Sequence, residues 1–352
     1  MFLHCESFLF RAVLNLLVLM QSLNNSNFEI VKKRYLELHF SIIIPVYNRP
    51  QEIEELLHSL STQNFDKNFE VIIVEDGSTS KADKIVEKYS KVLDVKYFFK
   101  KNSGAGASRN YGMKKATGNY FIIFDSDCII PSNYLSEVEK GLNTNFTDAF
   151  GGADAAHESF STIQKAINYS MTSFLTTGGI RGSKKAVGKF QPRSFNLGIS
   201  KKAFEITRGF SKMKIGEDID LTFRLWDANF KTQFIEKAYV FHKRRSTFKQ
   251  FYKQTFAFGK GRPFLNRKYP GTAKLTFWFP SLFLLSLIVS LLFLIVDFKL
   301  FIVIFGVYFM LIFLDSLFKN KNIAVAFTSI ITTLIQFSGY GSGFLKGYLV
   351  NE

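Results

Sequence analysis

The 352-residue chain has only two cysteines, Cys5 and Cys128, and no Cys-x-x-Cys pair. This scarcity argues against a disulfide framework and against a zinc site, and it favours a reducing compartment. Acidic residues are also scarce, because 45 Lys and Arg stand against 29 Asp and Glu, which gives a formal net charge of +16. Such a charge attracts nucleic acid and anionic membranes. Compositional drift explains it equally well, so the charge alone assigns no function.

Long apolar runs are concentrated at the C-terminal end. Residues 275–296 and 298–318 each have the roughly 20 mostly apolar residues that a bilayer-spanning helix needs. A third run, 323–345, contains Thr, Ser, Gln and Gly, so we expect it to pack against other helices or to re-enter the membrane. A very hydrophobic soluble core is the alternative for these runs. The shorter run 8–20 is interpreted as a weak anchor, an amphipathic surface helix or an upstream start-site artefact.

Between residues 40 and 130, short apolar β-branched runs alternate with amphipathic helical patterns. This alternation predicts parallel βαβ units and a doubly wound, mostly parallel α/β sheet. Ligands of such sheets bind beyond the carboxyl ends of the strands. Polar residues follow three of the predicted strands at this edge: Tyr47, Asn48, Glu75, Asp76, Asp125 and Asp127.

The pair Asp125-Ser126-Asp127 directly follows the apolar run 120–124. Side chains two residues apart on a strand point to the same side. Two carboxylates at a sheet edge suit Mg²⁺ or Mn²⁺, with phosphate oxygens completing the coordination shell. The alternative is an ordinary turn, for which Asp-Ser-Asp is also suitable.

The segment NSGAGASRNYG, residues 102–112, is glycine-rich and precedes a helical pattern, as in many phosphate sites. It meets neither the dinucleotide fingerprint, which needs a third glycine where Arg109 stands, nor the P-loop pattern. Simple entry into a helix is the alternative. Arg109 is a candidate for pairing with phosphate or nucleotide.

Glu217 and Asp218 open another helical pattern, and His242 ends the segment 231–242, which reads as two short strands. Acidic residues in a first helical turn complement the helix dipole, and that role needs no chemistry. The functional interpretation makes one of these carboxylates a general base. A lone histidine is more often structural, although a nitrogen ligand such as His242 would suit Mn²⁺ better than Ca²⁺.

Six motifs occur in order along the chain: FSIIIPVYNRP, VIIVEDGST, NSGAGASRNYGMKKATGNYFIIFDSD, FNLGISKKAFEITRGF, GEDIDLTFR and VFH. Together they resemble family 2 glycosyltransferases, which have the GT-A fold, over roughly residues 40–245. The motifs are specific for the family and carry little information about the sugar.

The resemblance implies a role for each matching residue. Asp125 and Asp127 would hold Mg²⁺ or Mn²⁺ on the diphosphate of a nucleotide sugar, and His242 would complete the metal shell. Asp218 would be the catalytic base. The resemblance places nucleotide-sugar binding at the following residues: Pro45, Val46, Tyr47, Asn48, Asp76, Arg109, Asp125 and Ser126.

The expected function is that of a membrane-anchored inverting glycosyltransferase. It would move a sugar from a nucleoside-diphosphate donor, expected to be a UDP-sugar, to a hydroxyl of a lipid-linked or glycan acceptor in cell-surface polysaccharide synthesis. The alternative is a catalytically silent nucleotide-sugar-binding scaffold or sensor. Few intramembrane charges argue against a transporter, and net charge alone supports nucleic-acid binding, so no nucleic-acid partner is expected. The region after His242 lacks the Arg-Trp of processive synthases, which favours transfer of one or a few sugars.

Three regions are predicted: an N-terminal extension, 1–38; a GT-A catalytic domain, 39–270; and a transmembrane region, 271–352. The stretch 242–274 is rich in Lys and Arg and precedes the first span. The positive-inside rule therefore places it, with the catalytic domain, on the cytoplasmic side of the inner membrane. Its basic side chains are expected to face anionic headgroups or a lipid diphosphate.

Overall fold

The structure is a computed structural model that describes residues 37–178, 190–297 and 299–350. The N-terminal run 8–20, for which we predicted an anchor or a surface helix, lies outside these residues.

A mixed sheet forms the centre of the described region. Its strands are β1 (Phe40–Val46), β2 (Glu70–Asp76), β3 (Asp94–Lys100), β4 (Tyr120–Phe124), β5 (Cys128–Ile129), β6 (Ala149–Ala155), β7 (Asn196–Ser200) and β8 (Thr232–His242). Across the sheet they lie in the order β3-β2-β1-β4-β7-β6-β8-β5. Strands β1 to β4 pair in parallel, whereas β7 runs antiparallel to β4 and β6. The predicted α/β architecture is confirmed, and its parallel half is the segment in which βαβ units were expected.

Helices cover the sheet. They are α1 (Pro50–Ser61), α2 (Asp83–Tyr89), α3 (Ala105–Lys115), α4 (Tyr134–Thr144), α5 (Thr162–Thr172), α6 (Phe174–Thr177), α7 (Lys201–Thr207) and α8 (Glu217–Asp227). Helix α1 shows why these segments fold as predicted: Pro50 occupies its first turn, and Ile53, Leu56, Leu57 and Leu60 form one buried face.

The prediction of two short strands in residues 231–242 is wrong. The segment forms one strand, β8, which pairs in parallel with β6 and shifts register between Gly152 and Asp154. Glu236 and Lys237, in the middle of the segment, are exposed. Between Ile235 and Val240 the pairing advances five residues along β8 but only two along β6, so the extra residues of β8 form a bulge and the strand continues beyond it to His242.

The C-terminal part contains α9 (Phe248–Lys268), α10 (Phe279–Phe293), α11 (Leu300–Asn320) and α12 (Ile323–Leu349). Within the described residues, three helical segments are long and apolar enough to cross a membrane: Leu275–Val296, Leu300–Asn320 and Ile323–Leu349. The third is one continuous helix, which supports packing against neighbours over the re-entrant alternative. The basic stretch before the first span forms mostly α9.

Helices α9 and α12 meet along a seam of glycines. A Cβ atom added to Gly343 would lie 2.2 Å from the Phe256 carbonyl oxygen, and one added to Gly347 would lie 2.3 Å from that of Lys260. On the other side, a Cβ added to Gly259 would lie 2.1 Å from the Tyr340 carbonyl. Only glycine permits this approach of two backbones, which explains the glycines that weakened the third apolar run.

Helix α5 joins the sheet domain to the apolar C-terminal helices. The Thr332 hydroxyl of α12 donates to the Ala166 carbonyl at 3.0 Å, and the Tyr169 hydroxyl donates to Asp315 of α11 at 2.7 Å. The apolar contacts include Ile167 and Phe251, which are fully buried. The sheet domain and the apolar C-terminal helices therefore pack directly against each other.

Candidate active site

Asp125 and Asp127 lie in a turn between β4 and β5 and not on a strand. The expectation that a strand would point both carboxylates the same way is therefore wrong. Arg109 Nη2 donates to Asp125 Oδ1 at 2.7 Å, whereas Arg49 Nη1 donates to Asp127 Oδ2 at 2.6 Å. The two acids thus have different partners, and the turn remains at the predicted edge of the sheet.

Asp127 and His242 form the best candidate for a metal site. Cys128 pairs with His242 across β5 and β8, which brings His242 Nε2 to 3.2 Å from Asp127 Oδ1. Both side chains are largely buried. Among the described residues, Asp127 Oδ1 has no hydrogen-bond partner. A carboxylate oxygen beside an imidazole nitrogen fits Mn²⁺ or Mg²⁺.

The charges of this pair are strongly coupled. Burial opposes the charged form of His242, but Asp127, with a smaller contribution from Asp154, outweighs burial and raises the pKa of His242 to about 9. Burial likewise disfavours the Asp127 carboxylate, yet His242 and then Arg49 hold the pKa of Asp127 below its ordinary value. His242 and Arg49 supply positive charge that stabilises this buried carboxylate.

Cys128 lies near the pair but is a poor ligand. Its Sγ donates to the Phe195 carbonyl at 3.6 Å, and burial raises the pKa of the thiol well above its ordinary value. Metals bind the thiolate, which this environment disfavours. The candidate donor set is therefore the Asp127 carboxylate and the His242 imidazole, and the metal roles expected for Asp125, Asp127 and His242 stay predictions.

Arg109 is buried between two acids. Its Nη1 donates to Glu217 Oε1 at 3.0 Å in addition to the bond with Asp125. Burial alone would lower the pKa of Arg109, but Asp125 and Glu217 outweigh it and raise the pKa. The guanidinium is thus held by protein carboxylates, and its assignment to the nucleotide stays a prediction. The bridge brings the start of α8 next to the Asp125 turn.

Three acids open α8, and their contacts differ. Glu217 pairs with Arg109, and burial raises its pKa although Arg109 opposes this. Asp220 is fully buried and accepts from Arg224 at 2.9 Å and Lys268 at 2.5 Å. Asp218 has no close ion pair: Oδ1 accepts from the Ile219 amide at 2.8 Å, and Oδ2 accepts from the Ser194 amide at 3.4 Å and lies 3.9 Å from Arg193 Nη1. Of the three, Asp218 is the best placed to take a proton.

The candidate nucleotide residues lie at the ends of β1 and β2. Pro45 and Val46 end β1, and the ring of Tyr47 is 53% exposed. Asn48 adopts a positive φ of 54°, and its Oδ1 accepts from the Thr79 amide at 2.8 Å. This bond ties the end of β1 to the loop after β2.

Asp76 ends β2 and fixes the glycine-rich loop. Its carboxylate accepts from the amides of Ser103 at 2.9 Å and Gly104 at 2.8 Å and pairs with Lys100. Burial opposes its charge, but Lys100 and the Ser103 amide outweigh burial and lower the pKa of Asp76. In this structure the carboxylate therefore orders the entry to α3.

Sequence reasoning missed four residues that shape the site. Arg49 contacts Asp127, and Arg193 contacts Asp218. Arg244 is 6% exposed and pairs with the fourth residue, Asp154. Asp154 Oδ1 lies 3.9 Å from His242 Nδ1. A sequence signal existed only for Arg49, which directly follows the polar end of β1.

The mixed sheet, with its acidic turn after β4, defines a GT-A fold. Residues 41–205 match the family model described as glycosyl transferase family 2. The resemblance predicted from the motifs is therefore confirmed for this segment.

The most informative relatives are the following. The poly(ribitol-phosphate) beta-N-acetylglucosaminyltransferase TarS of Staphylococcus aureus is 39% identical over 114 residues, which cover 32% of this chain and 20% of TarS. The glycosyltransferase AglE of Haloferax volcanii is 27% identical over 240 residues, which cover 63% of this chain and 72% of AglE. The chain thus spans about a fifth of the length of TarS.

A structural neighbour supports the fold. The mannosyltransferase PcManGT of Pyrobaculum calidifontis, in complex with GDP-Man and Mn²⁺, has a TM-score of 0.52 at 16% identity. The match covers 67% of this chain and 66% of PcManGT.

Proposed function

We propose that the protein is a membrane-anchored inverting glycosyltransferase. It takes a sugar from a nucleoside-diphosphate donor, with UDP-sugars the first candidates, and transfers it to a hydroxyl of a lipid-linked or glycan acceptor for cell-surface polysaccharide. The observation that carries the proposal is the bridge from Asp125 through Arg109 to Glu217. This bridge brings Asp218, the neighbour of Glu217, close to the acidic turn.

The reaction needs a proton acceptor for the acceptor hydroxyl. Asp218 takes that proton while the oxygen attacks the anomeric carbon from the side opposite the leaving diphosphate, so one base suffices and the configuration inverts. Proton transfer of this kind typically contributes ~10²–10⁴-fold to the rate. When bound at Asp127 and His242, with Asp125 nearby, Mg²⁺ or Mn²⁺ would supply charge stabilisation for the leaving diphosphate.

The test of the base is Asp218→Asn, assayed with the donor found in a screen of UDP-, GDP- and dTDP-sugars. Turnover should fall at least ~10²-fold, while nucleotide affinity changes little because Asp218 is not proposed to bind the donor. Asp227→Asn is the matched control, since Asp227 ends the same helix and is exposed. A folded Asp218→Asn variant with near-normal turnover would assign the base to another group.

Metal dependence is tested separately. Chelation with EDTA, or the substitution Asp127→Ala, should abolish transfer and weaken nucleotide binding, because Asp127 is the buried carboxylate of the candidate metal pair. Full activity in EDTA would contradict the metal assignment.

We further propose that the catalytic domain faces the cytoplasm, where the basic helix α9 lies against anionic headgroups. In a chain with Cys5→Ser, a cysteine introduced at Ser246 should escape a membrane-impermeant thiol reagent applied from outside. The control Asp297→Cys, in the connector after the first span, should react. Labelling at position 246 in intact cells would overturn this orientation.

A further inference from the structure

Asp154 of β6 is a buried carboxylate that has no role in the transfer proposed above. Its side chain is fully enclosed by protein, and a charge in such a place is costly unless other groups compensate it. Arg244 pairs with Asp154 Oδ2 and is itself held by Asn168 Oδ1, to which it donates at 3.0 Å. The other oxygen, Oδ1, lies 3.9 Å from His242 Nδ1. One carboxylate thus faces both an arginine and the candidate metal ligand.

The pairing of β6 with β8 brings Asp154 and His242 to the same face of the sheet. After the register shift, Asp154 pairs with Val240 of β8. His242 is two residues beyond Val240 on the same strand. Side chains two residues apart along a strand point to the same side. The approach of the two side chains is therefore a property of the strands and not of a loop.

The ring of His242 is held between two acids. Phe195 stacks on it with a centroid separation of 4.8 Å and an interplanar angle of 22°. Nε2 lies 3.2 Å from Asp127 Oδ1, and Nδ1 faces Asp154. Within the described part of the chain, neither Asp127 Oδ1 nor His242 Nδ1 has a hydrogen-bond partner. The two nitrogens are therefore distinguished by the charges that they face.

A neutral imidazole carries its proton on one nitrogen and a lone pair on the other. His242 can bind a metal through Nε2, beside Asp127, only if the ring proton is on Nδ1. A carboxylate that faces the second nitrogen of a metal-binding histidine favours that arrangement and holds the ring in place. At 3.9 Å the attraction between Nδ1–H and Asp154 is electrostatic, and burial keeps it from being screened by water.

We propose that Asp154 is a positioning residue for His242, which keeps the ring proton on Nδ1 so that Nε2 offers its lone pair on the side of Asp127. The inference rests on the proposed function, which assigns the metal to Asp127 and His242. It adds a residue that no sequence motif indicated. Arg244 holds the Asp154 carboxylate in this place and takes no part in metal binding.

The test is Asp154→Asn, which keeps the shape of the side chain. Arg244 is a donor, so the asparagine oxygen should stay on Arg244 and its NH₂ group should face His242 Nδ1. A donor there needs Nδ1 as its acceptor, which moves the ring proton to Nε2. The detergent-purified full chain is titrated with Mn²⁺, and unbound Mn²⁺ is measured by electron paramagnetic resonance. The affinity for Mn²⁺ should fall ~10–100-fold.

Nitrogen-15 NMR of metal-free chain labelled at histidine reports the position of the proton directly. The chain has five histidines, and the signal that is lost in His242→Gln identifies His242. In alkaline buffer, where the ring is neutral, the share of Nδ1–H should be larger in wild type than in Asp154→Asn. If Asp154→Asn does not fold, the wild-type spectrum still decides, because a proton mostly on Nε2 would overturn the proposal.

Two further variants separate positioning from stability. Asp148→Asn is the matched control, since Asp148 precedes β6 and accepts from Ser200 Oγ at 2.7 Å; it should bind Mn²⁺ like wild type. Arg244→Gln removes the partner of Asp154 but leaves the carboxylate facing His242. It should lower the melting temperature relative to Arg208→Gln, at the exposed arginine after α7, and keep the affinity for Mn²⁺ close to that of wild type.

Three results would overturn the proposal: an unchanged affinity for Mn²⁺ in Asp154→Asn, the same share of Nδ1–H in both chains, or an equal loss of affinity in Arg244→Gln. Each of them, found in a chain that binds Mn²⁺, leaves the proposed function standing. Failure of the wild type to bind Mn²⁺ would instead remove the metal assignment together with this inference. None of these measurements needs sugar transfer.

Discussion

Arg109 offers the sharpest test of how the site is held together. The substitution Arg109→Gln keeps a polar side chain of moderate length but removes the charge that joins Asp125 to Glu217. Arg109 is 3% exposed, so its bonds are little screened by water. The variant would leave two partly buried carboxylates facing each other without a cation.

The size of the effect follows from these contacts. Removing one partner of a buried ion pair costs about 3–5 kcal/mol, because the remaining charge stays buried. Asp125 keeps 29% of its side-chain exposure and Glu217 18%, so water compensates part of the loss and we expect about 2–4 kcal/mol. That corresponds to a fall of roughly 5–10 °C in the melting temperature.

The assay is thermal unfolding of the detergent-purified chain, with Arg208→Gln as control. The double variant Arg109→Gln/Glu217→Gln should recover part of the loss, because one orphaned carboxylate is then neutral. Burial already raises the pKa of Glu217 and Arg109 opposes this, so without Arg109 the group protonates more easily and the loss should shrink as pH falls. A melting temperature within about 1 °C of wild type would refute the buried bridge.

Three further predictions concern stability. Glu70 is 5% exposed, and burial opposes its charge, but hydrogen bonds from Lys96, Ser41 and Thr117 outweigh burial and lower its pKa from 4.5 to about 2. The resulting stabilisation of the folded state, about 2–3 kcal/mol, is present above pH 4.5 and is lost as pH falls toward 2. Glu70→Gln should therefore flatten the acid side of a plot of melting temperature against pH. Gly343→Val should lower the free energy of unfolding by about 1–3 kcal/mol, because its side chain would force α9 away from α12. Gly306→Ala should not, because a Cβ there meets nothing within 4 Å in the described part of the chain. Equal melting temperatures of the two variants would contradict the close packing of α9 against α12. A fragment of residues 39–270 should aggregate in size-exclusion chromatography under conditions that keep the full chain monodisperse, because it exposes the faces of α5 and α9 that α12 covers; a stable soluble fragment would refute this.

The sequence predicted the sheet because its signals are local. Strands β1, β2 and β4 are short apolar runs that are buried along their whole length, and α1 shows its buried face at helical spacing. Polar residues at the carboxyl ends of these strands then had to meet at one edge. That reasoning brought Asp127 to the site, and the family resemblance added Asp218 and His242.

The partners of these residues could not be predicted, because they come from distant segments. Arg49 and Asp127 are 78 residues apart, and Arg109 and Glu217 are 108 apart. Nothing in the local pattern shows which arginine meets which acid. The glycines of α12 were ambiguous for the same reason: they weaken an apolar run in sequence, and only the approach of α9 shows that they are needed.

The contacts of α5 indicate that the apolar C-terminal helices and the candidate metal pair, Asp127 and His242, belong to one structural unit. Arg244, two residues after His242, is buried against Asp154 and donates to Asn168 of α5 at 3.0 Å. The same helix carries Tyr169, which donates to Asp315 of α11. Asp154 in turn faces the second nitrogen of His242 at 3.9 Å. A chain of buried and partly buried polar contacts therefore runs from the apolar helix α11 to the candidate metal pair, so the change in composition near residue 270 is not a break in packing. If the proposed function is right, the surface that would anchor the protein is also the one that orders the candidate active site.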